Sequence, residues 1–197
     1  MEIRGKENIR DLKGPILLVP NHTQELDPTV IPLITSFFSH QLPVYSVIYP
    51  VHKYNDPSFS WRRYVYKEFF FNILGGYPVN SGSKDYEISL QNHIKILENN
   101  KTLCIFPEGK CTLDGNIANA HGGMGYLAYR TNATIVPVAI NTFFDISFFN
   151  FLLRRRKLIV TILPPILPIE IVKIEDPKPE DFKKAGEFVL QRIREVM

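Results

Sequence analysis

Six consecutive side chains, Pro15 to Pro20 in the run Gly14-Pro-Ile-Leu-Leu-Val-Pro20, carry no polar atom. A strand alternates its side chains between two faces, so this run is apolar on both. Burying both faces requires a sheet covered on either side, and parallel sheets with helical crossovers are built that way. Further strands are predicted at Leu42 to Ile48, Tyr77 to Asn80, Thr102 to Phe106, Thr134 to Ile140 and Lys157 to Leu163. Helical patterns fill the intervals. Tyr86, Leu90, Ile94 and Leu97 lie 4, 4 and 3 residues apart, on one helix face. Asp27-Pro28 opens a helix, proline suiting the first helical position. Residues 59–74 are dense in aromatics with Arg62, Arg63 and Lys67 interleaved, and read as a helix stopped by Gly75-Gly76. Another helix is predicted from Gly123 to Tyr129. Phe182, Ala185, Val189, Ile193 and Val196 mark a closing helix, with Asp181 near its start. This alternation predicts an α/β fold: one domain over residues 1–197, a mostly parallel central sheet flanked by helices.

Composition narrows the function classes. Lys and Arg number 23 against 20 Asp and Glu, a net charge of +3 that is too balanced to argue for nucleic acid. It mildly favours an anionic membrane surface. No apolar segment follows Met1-Glu-Ile-Arg-Gly-Lys6 as a secretory signal would require. No stretch approaches the ~18 apolar residues of a membrane-spanning helix. The two cysteines, Cys104 and Cys111, form neither a disulfide framework nor a metal-ligand spacing, so a reducing compartment is expected.

Two constellations carry chemistry. Asn21-His22 follows the first apolar run, where open α/β sheets place ligands, and Asp27 comes five residues on. A histidine there can act as a general base near neutral pH. Asp27 can turn back to its other ring nitrogen, fix the tautomer and stabilise the imidazolium. The alternative is that Asp27 only caps its helix. Neither a serine nor a cysteine is marked by the sequence as an acylated nucleophile, which favours direct attack by a substrate hydroxyl. The second constellation is Phe106-Pro107-Glu108-Gly109-Lys110, a tight turn after another strand. Its amides can face an anion and Glu108 can accept from a polyol; the alternative is an ordinary strand-to-helix turn.

Two other motifs fail their structural tests. Gly123-Met-Gly125-Tyr-Leu-Ala128 fits a dinucleotide fingerprint but does not follow a strand. Gly82-Ser83-Lys84 has the wrong order and spacing for a phosphate loop. Two stretches could lie on a membrane: residues 59–74, and the apolar run 146–153 before the basic cluster 154–157. Either could instead pack in the core.

Asn21-His22-x4-Asp27, Gly76-Tyr-Pro-Val79, Phe106-Pro-Glu-Gly109 and Val136-Pro137-Val138 resemble, in order, the four blocks of the glycerolipid acyltransferases, the PlsC-like lysophosphatidic acid acyltransferases. The blocks span about residues 14 to 140. The resemblance implies His22 as the base that deprotonates an acceptor hydroxyl and Asp27 as its partner. The alkoxide would attack the thioester of acyl-coenzyme A or acyl-acyl-carrier protein, a co-substrate, with no bound cofactor and no metal. Asn21, Phe106, Pro107, Glu108, Gly109, Lys110 and Pro137 are implied to bind or shape the substrate. The acceptor would be a lysolipid of the 1-acylglycerol-3-phosphate type, in phospholipid biosynthesis. The location implied is cytoplasmic, peripheral on the inner membrane face.

The chain departs from the pattern at two places. Ser81 stands where the family usually carries a phosphate-binding arginine. Lys110-Cys111 replaces a usual Thr-Arg, while the basic residue usual ahead of Gly123 is read as His121. Serine and cysteine cannot reproduce bidentate arginine contacts to phosphate. A non-phosphatidate acceptor is therefore one alternative, and a lipid- or acyl-carrier-binding module without turnover is another. An unrelated α/β hydrolase is disfavoured because no G-x-S-x-G elbow is present. Asn21 comes early in the chain, so docking on a membrane is expected to use the interior stretches.

Overall fold

Along the first apolar run, odd and even side chains enter two different cores. Leu17 and Val19 pack on one side of the sheet, Ile16 and Leu18 on the other, all of them at most 1% exposed. The computed structural model describes residues 1–24, 27–35, 41–80, 83, 85–112, 114–141, 144 and 157–197. Among these, seven strands form one sheet: β1 Glu2–Arg4, β2 Ile16–Pro20, β3 Val44–Ile48, β4 Gly76–Pro78, β5 Thr102–Cys104, β6 Thr134–Asn141 and β7 Ile159–Ile162. Their order is β1-β7-β6-β2-β5-β3-β4.

The block from β6 to β4 is parallel, with β2 between β6 and β5: Leu18 pairs with Cys104 of β5 and with Val136 of β6. β7 joins β6 antiparallel, and β1 runs parallel to β7 at the edge. β7 follows β6 in the chain and lies beside it, and antiparallel neighbours need no crossover helix. The sheet is thus mostly parallel, as the alternating pattern predicts. The edge strand β1 has only three residues and was not among the expected strands.

Described helices are α1 Glu7–Arg10, α2 Asp27–Val30, α3 Glu68–Ile73, α4 Tyr86–Ser89, α5 Gln91–Glu98, α6 Gly123–Thr131, α7 Pro168–Ile171 and α8 Pro179–Arg194. Side chains of α5, α6 and α8, among them Ile94, Leu97, Met124, Leu127, Val189 and Ile193, cover the Leu17 face. Ile9 of α1, Val30 of α2 and the 3-10 turn Ile31–Ile34 cover the Ile16 face. The predicted helix through Tyr86 and Leu97 is two helices meeting at Leu90. Asp85 caps the first by accepting the Glu87 N–H at 2.8 Å.

The predicted helix at residues 59–74 is broken. Residues Pro57–Tyr64 form 3-10 turns interrupted at Ser60, whose φ is 49°, and regular helix begins only at Glu68. None of the described side chains of residues 57–64 is buried, so packing does not enforce a continuous α-helix there. The closing helix is as expected at its start, where Asp181 accepts the Lys178 N–H at 3.1 Å, but it ends at Arg194 and leaves Val196 exposed.

One glycine of the rejected dinucleotide motif serves packing. A Cβ on Gly125 would lie 2.4 Å from the Phe182 carbonyl oxygen and 2.8 Å from its Cα, so α6 and α8 can touch only if residue 125 has no side chain. At Gly123 the nearest atoms would be 3.7 Å away, ordinary contact. Gly125→Ala should therefore cost about 1–3 kcal/mol by overpacking. Gly123→Ala should cost less than Gly125→Ala, in urea unfolding of both variants.

Candidate active site

Three neighbouring strands, β2, β5 and β6, end on the same side of the sheet, and their extensions build the site. This is the carboxyl edge at which open α/β sheets hold ligands. Asn21 continues β2 by side chain. Its Nδ2 donates to the Ile140 carbonyl at 3.1 Å, and its Oδ1 accepts the Ile140 N–H at 2.7 Å. The amide thereby acts as one more rung between β2 and β6. Asn21 is fully buried, so the structure gives it a tethering place rather than the substrate-facing one expected of it.

His22 follows at the mouth. Its Nδ1 lies 3.0 Å from Asp27 Oδ2. The same oxygen accepts the Thr23 N–H at 2.7 Å and the Gln24 N–H at 2.8 Å. Asp27 is fully buried and its carboxylate reaches back along the loop, so it holds the histidine turn rather than only capping α2. A carboxylate beside Nδ1 puts the proton there and leaves Nε2 as the basic nitrogen. Behind the ring, Phe106 stacks with centroids 4.1 Å apart at 29°. Phe106 is only 8% exposed, and backs the imidazole where it was expected to shape an acceptor pocket.

Glu108 also takes a different place from the expected one. It is 1% exposed. Oε1 accepts the His22 N–H at 2.6 Å and Oε2 the Ala118 N–H at 2.8 Å. Burial pushes its carboxyl above the ordinary range, against the pull of the Ala118 and His22 amides. The turn glutamate thus ties the histidine loop to residues 116–121, and both oxygens face backbone donors rather than a polyol. The tie continues outward: Glu187 on α8 accepts the Ala120 N–H at 3.0 Å, and Arg194 donates to the Ala118 carbonyl at 3.2 Å.

The rest of the turn follows from backbone geometry. Gly109 has φ +70°, and a Cβ there would meet the His121 ring at 2.9 Å. Pro107 is buried, and its carbonyl accepts the His121 N–H at 2.8 Å. Lys110 is exposed. Pro137 is not brought to the mouth: it sits within β6 opposite Val19, and its carbonyl accepts the Leu163 N–H. Ser81, at the position of a usual arginine, and Lys84 lie outside the described residues.

Sequence reasoning missed one side chain. Cys111 Sγ lies 3.1 Å from His22 Nε2. The sequence marks no cysteine as belonging to the site, and the structure places this one against the histidine ring. Cys111 is 89 residues from His22 in sequence, and only the pairing of β2 with β5 brings their loops together. The signal was present as the odd residue in the turn block, where it was read only as a lost arginine. Among the described residues, no group of three or more His, Cys, Asp or Glu is placed to hold a metal ion.

Comparison with known proteins agrees with this architecture. The family model described as Acyltransferase matches residues 1–141. Among solved structures, the fold is similar to that of the 1-acyl-sn-glycerophosphate (LPA) acyltransferase PlsC from Thermotoga maritima. The TM-score is 0.63 at 19% identity, covering 99% of this chain and 71% of that one.

Proposed function

The chain belongs to the acyltransferase family, and from that premise we propose that it moves a fatty acyl group from a thioester to the hydroxyl of a lysolipid. The donor is acyl-coenzyme A or acyl-acyl-carrier protein, and the acceptor is of the 1-acylglycerol-3-phosphate type, in phospholipid biosynthesis. The observation that carries the reading is the His22–Asp27 pair at 3.0 Å, held at the mouth of three strands with Nε2 turned away from the carboxylate.

In this reading Nε2 takes the proton of the acceptor hydroxyl as its oxygen attacks the acyl carbonyl. The buried Asp27 carboxylate stabilises the imidazolium that forms. The imidazolium then returns the proton to the departing thiolate. No step asks for a metal or a resident cofactor. Glu108 and Asn21 serve by holding the loop, so a small displacement of either carries through to His22.

A non-phosphatidate acceptor is the second reading. It is favoured by a thiol at position 111, where the resemblance leads one to expect a guanidinium. The deciding experiment offers purified protein acyl-coenzyme A and acyl-acyl-carrier protein with a panel of lysolipids. The expected result is saturable transfer that depends on His22. Preference for lysophosphatidate supports the first reading, and preference for another head group supports the second. If no acceptor is acylated in a His22-dependent way, the enzyme reading falls and a lipid- or carrier-binding module replaces it.

The protein is further proposed to work on the cytoplasmic face of a membrane as a peripheral enzyme. No described helix is long and apolar enough to cross a bilayer. Trp61, Phe69 and Ile73, each at least two-thirds exposed, share the segment between β3 and β4 with the exposed Lys67. Aromatic bulk beside a basic residue suits an anionic interface. The other candidate stretch, residues 146–157, lies outside the described residues except for Lys157. Co-sedimentation with phosphatidylglycerol-containing vesicles should show binding. The Trp61→Ser, Phe69→Ser double variant should lose about 10-fold or more in vesicle affinity, given the apolar area withdrawn from the interface. Unchanged sedimentation would rule this segment out as the docking surface.

A further inference from the structure

The Cys111 thiol lies over the His22 imidazole, and two distances fix its place. Sγ is 3.1 Å from Nε2 and 3.6 Å from Nδ1. A sulfur in line with the Nε2 lone pair would be much farther from Nδ1, which lies across the ring from that direction. A sulfur in the ring plane at these two distances would collide with the carbon between the nitrogens. The position left is above the plane, on one face of the ring. Phe106 takes the other face, stacked with centroids 4.1 Å apart at 29°. A phenyl ring at that separation leaves no room for sulfur on its own side. The imidazole is therefore held between a phenyl ring and a thiol, with its Nδ1 edge on Asp27 at 3.0 Å.

This packing supplies what the torsion itself does not. Rotation of a histidine ring about χ2 has broad minima. The Asp27 contact fixes one ring atom and leaves the ring free to tilt about it. Tilting moves Nε2, the nitrogen that must meet the acceptor hydroxyl. Contacts on both faces stop the tilt, as a catalytic side chain requires.

The loop that carries Cys111 is tied to the residue it covers. The Thr112 N–H donates to the His22 carbonyl at 3.1 Å, and the His22 N–H donates to Glu108 Oε1 at 2.6 Å. These bonds hold residues 108 and 112 against residue 22, with Cys111 between them in the chain. The backbone thus sets where the thiol sits.

The chemistry of the covering atom suits the place. A thiol packs as a small apolar group and is a weak hydrogen-bond donor. Above the ring plane it leaves the Nε2 lone pair to the acceptor hydroxyl. An ammonium group there would repel the imidazolium that forms during transfer.

We infer that Cys111 is a positioning residue for the base. Its side chain closes the second face of His22 and keeps Nε2 aimed at the acceptor. It acts by bulk and takes no part in bond making or proton transfer. The inference rests on the reading of His22 as the base of acyl transfer. It gives position 111 a part in the rate, separate from any part in choosing the head group.

Wild type, Cys111→Ala and Cys111→Val are compared. Alanine opens the covered face, whereas valine puts a methyl group where Sγ lies and brings no thiol. Transfer is measured at saturating donor and lysolipid, with circular dichroism to confirm the fold. Cys111→Ala should lower kcat about 10- to 100-fold, the scale of a slightly misplaced catalytic group. KM for donor and acceptor should stay within a few-fold. Cys111→Val should recover kcat to within about 3-fold of wild type, since the volume over the ring is largely kept. A second readout follows the ring itself. With isotope-labelled histidine, proton–nitrogen correlation spectra should show His22 of wild type as one tautomer, protonated at Nδ1. The His22→Ala spectrum identifies its signals. In Cys111→Ala they should broaden and move toward the average of the two tautomers, and in Cys111→Val they should return.

A Cys111→Ala variant with undiminished kcat would overturn the inference. So would unchanged His22 signals in that variant. A folded Cys111→Val variant as slow as Cys111→Ala would also overturn it, because the thiol itself would then be needed. If wild type acylates no lysolipid, the acyltransferase reading falls and the spectra still decide the positioning role. Loss of the single tautomer in Cys111→Ala and its return in Cys111→Val would then support it.

Discussion

His22→Ala should lower kcat for acyl transfer by about 10³-fold or more, near the upper range for removing a positioned general base. The expectation rests on Nε2 standing at the mouth of β2, β5 and β6 while Nδ1 is bound by a buried carboxylate. Neither His93 nor His121 takes its place at that point. His93 is buried on α5 with Nε2 at the Tyr77 carbonyl, and His121 lies across Gly109. KM for the donor should change much less, because the ring contacts the reacting proton and not the length of the acyl chain. The fold should survive, since Asn21 still joins β2 to β6 and Glu108 still receives a backbone N–H from residue 22. Steady-state transfer at saturating lysolipid checks this. A variant with more than a tenth of wild-type kcat would remove His22 from the mechanism.

Asp27→Asn should lower kcat by about 10²–10⁴-fold while leaving donor and acceptor KM within a few-fold, as expected when a buried charge behind a catalytic imidazole is lost. The substitution isolates charge from shape. All three bonds to the Asp27 side chain go to one oxygen, Oδ2, and Oδ1 has no partner among the described residues. Asparagine can therefore present its carbonyl oxygen to Thr23, Gln24 and His22 and turn its NH2 to the unused side. Loop geometry is kept, and what disappears is the negative charge that stabilises the imidazolium. Asp27→Ala would confound the two, because it also strips the acceptor from two backbone amides. Rate measurements on Asp27→Asn, with circular dichroism to confirm the fold, decide the point.

The two expectations explain why the histidine and the aspartate were legible in the sequence while their neighbours were not. Asn21, His22 and Asp27 lie within one loop, so their spacing alone limits what they can reach. The strand pattern was legible for a similar reason. Ile16 to Val19 is apolar on both faces, and a two-sided core must follow wherever such a run is placed. The closing helix was legible from its 3.6-residue period and its acidic start. The break at Ser60 was not, since the aromatic spacing of residues 59–74 fits a helix, and only the fold shows that the described side chains of residues 57–64 are left unburied.

What only the tertiary structure decided is who meets whom across the sheet. Placing β2 between β5 and β6 brings Glu108 and Cys111 to His22 from 86 and 89 residues away, and brings Ile140 to Asn21 from 119. The same register buries Pro137 opposite Val19 and turns Phe106 behind the imidazole. Residue types and local period fix which segments become strands and which of their faces are apolar. Strand order and register are set by the mutual burial of those faces. They alone determine that the turn glutamate is a backbone tie and that a thiol lies against the imidazole ring.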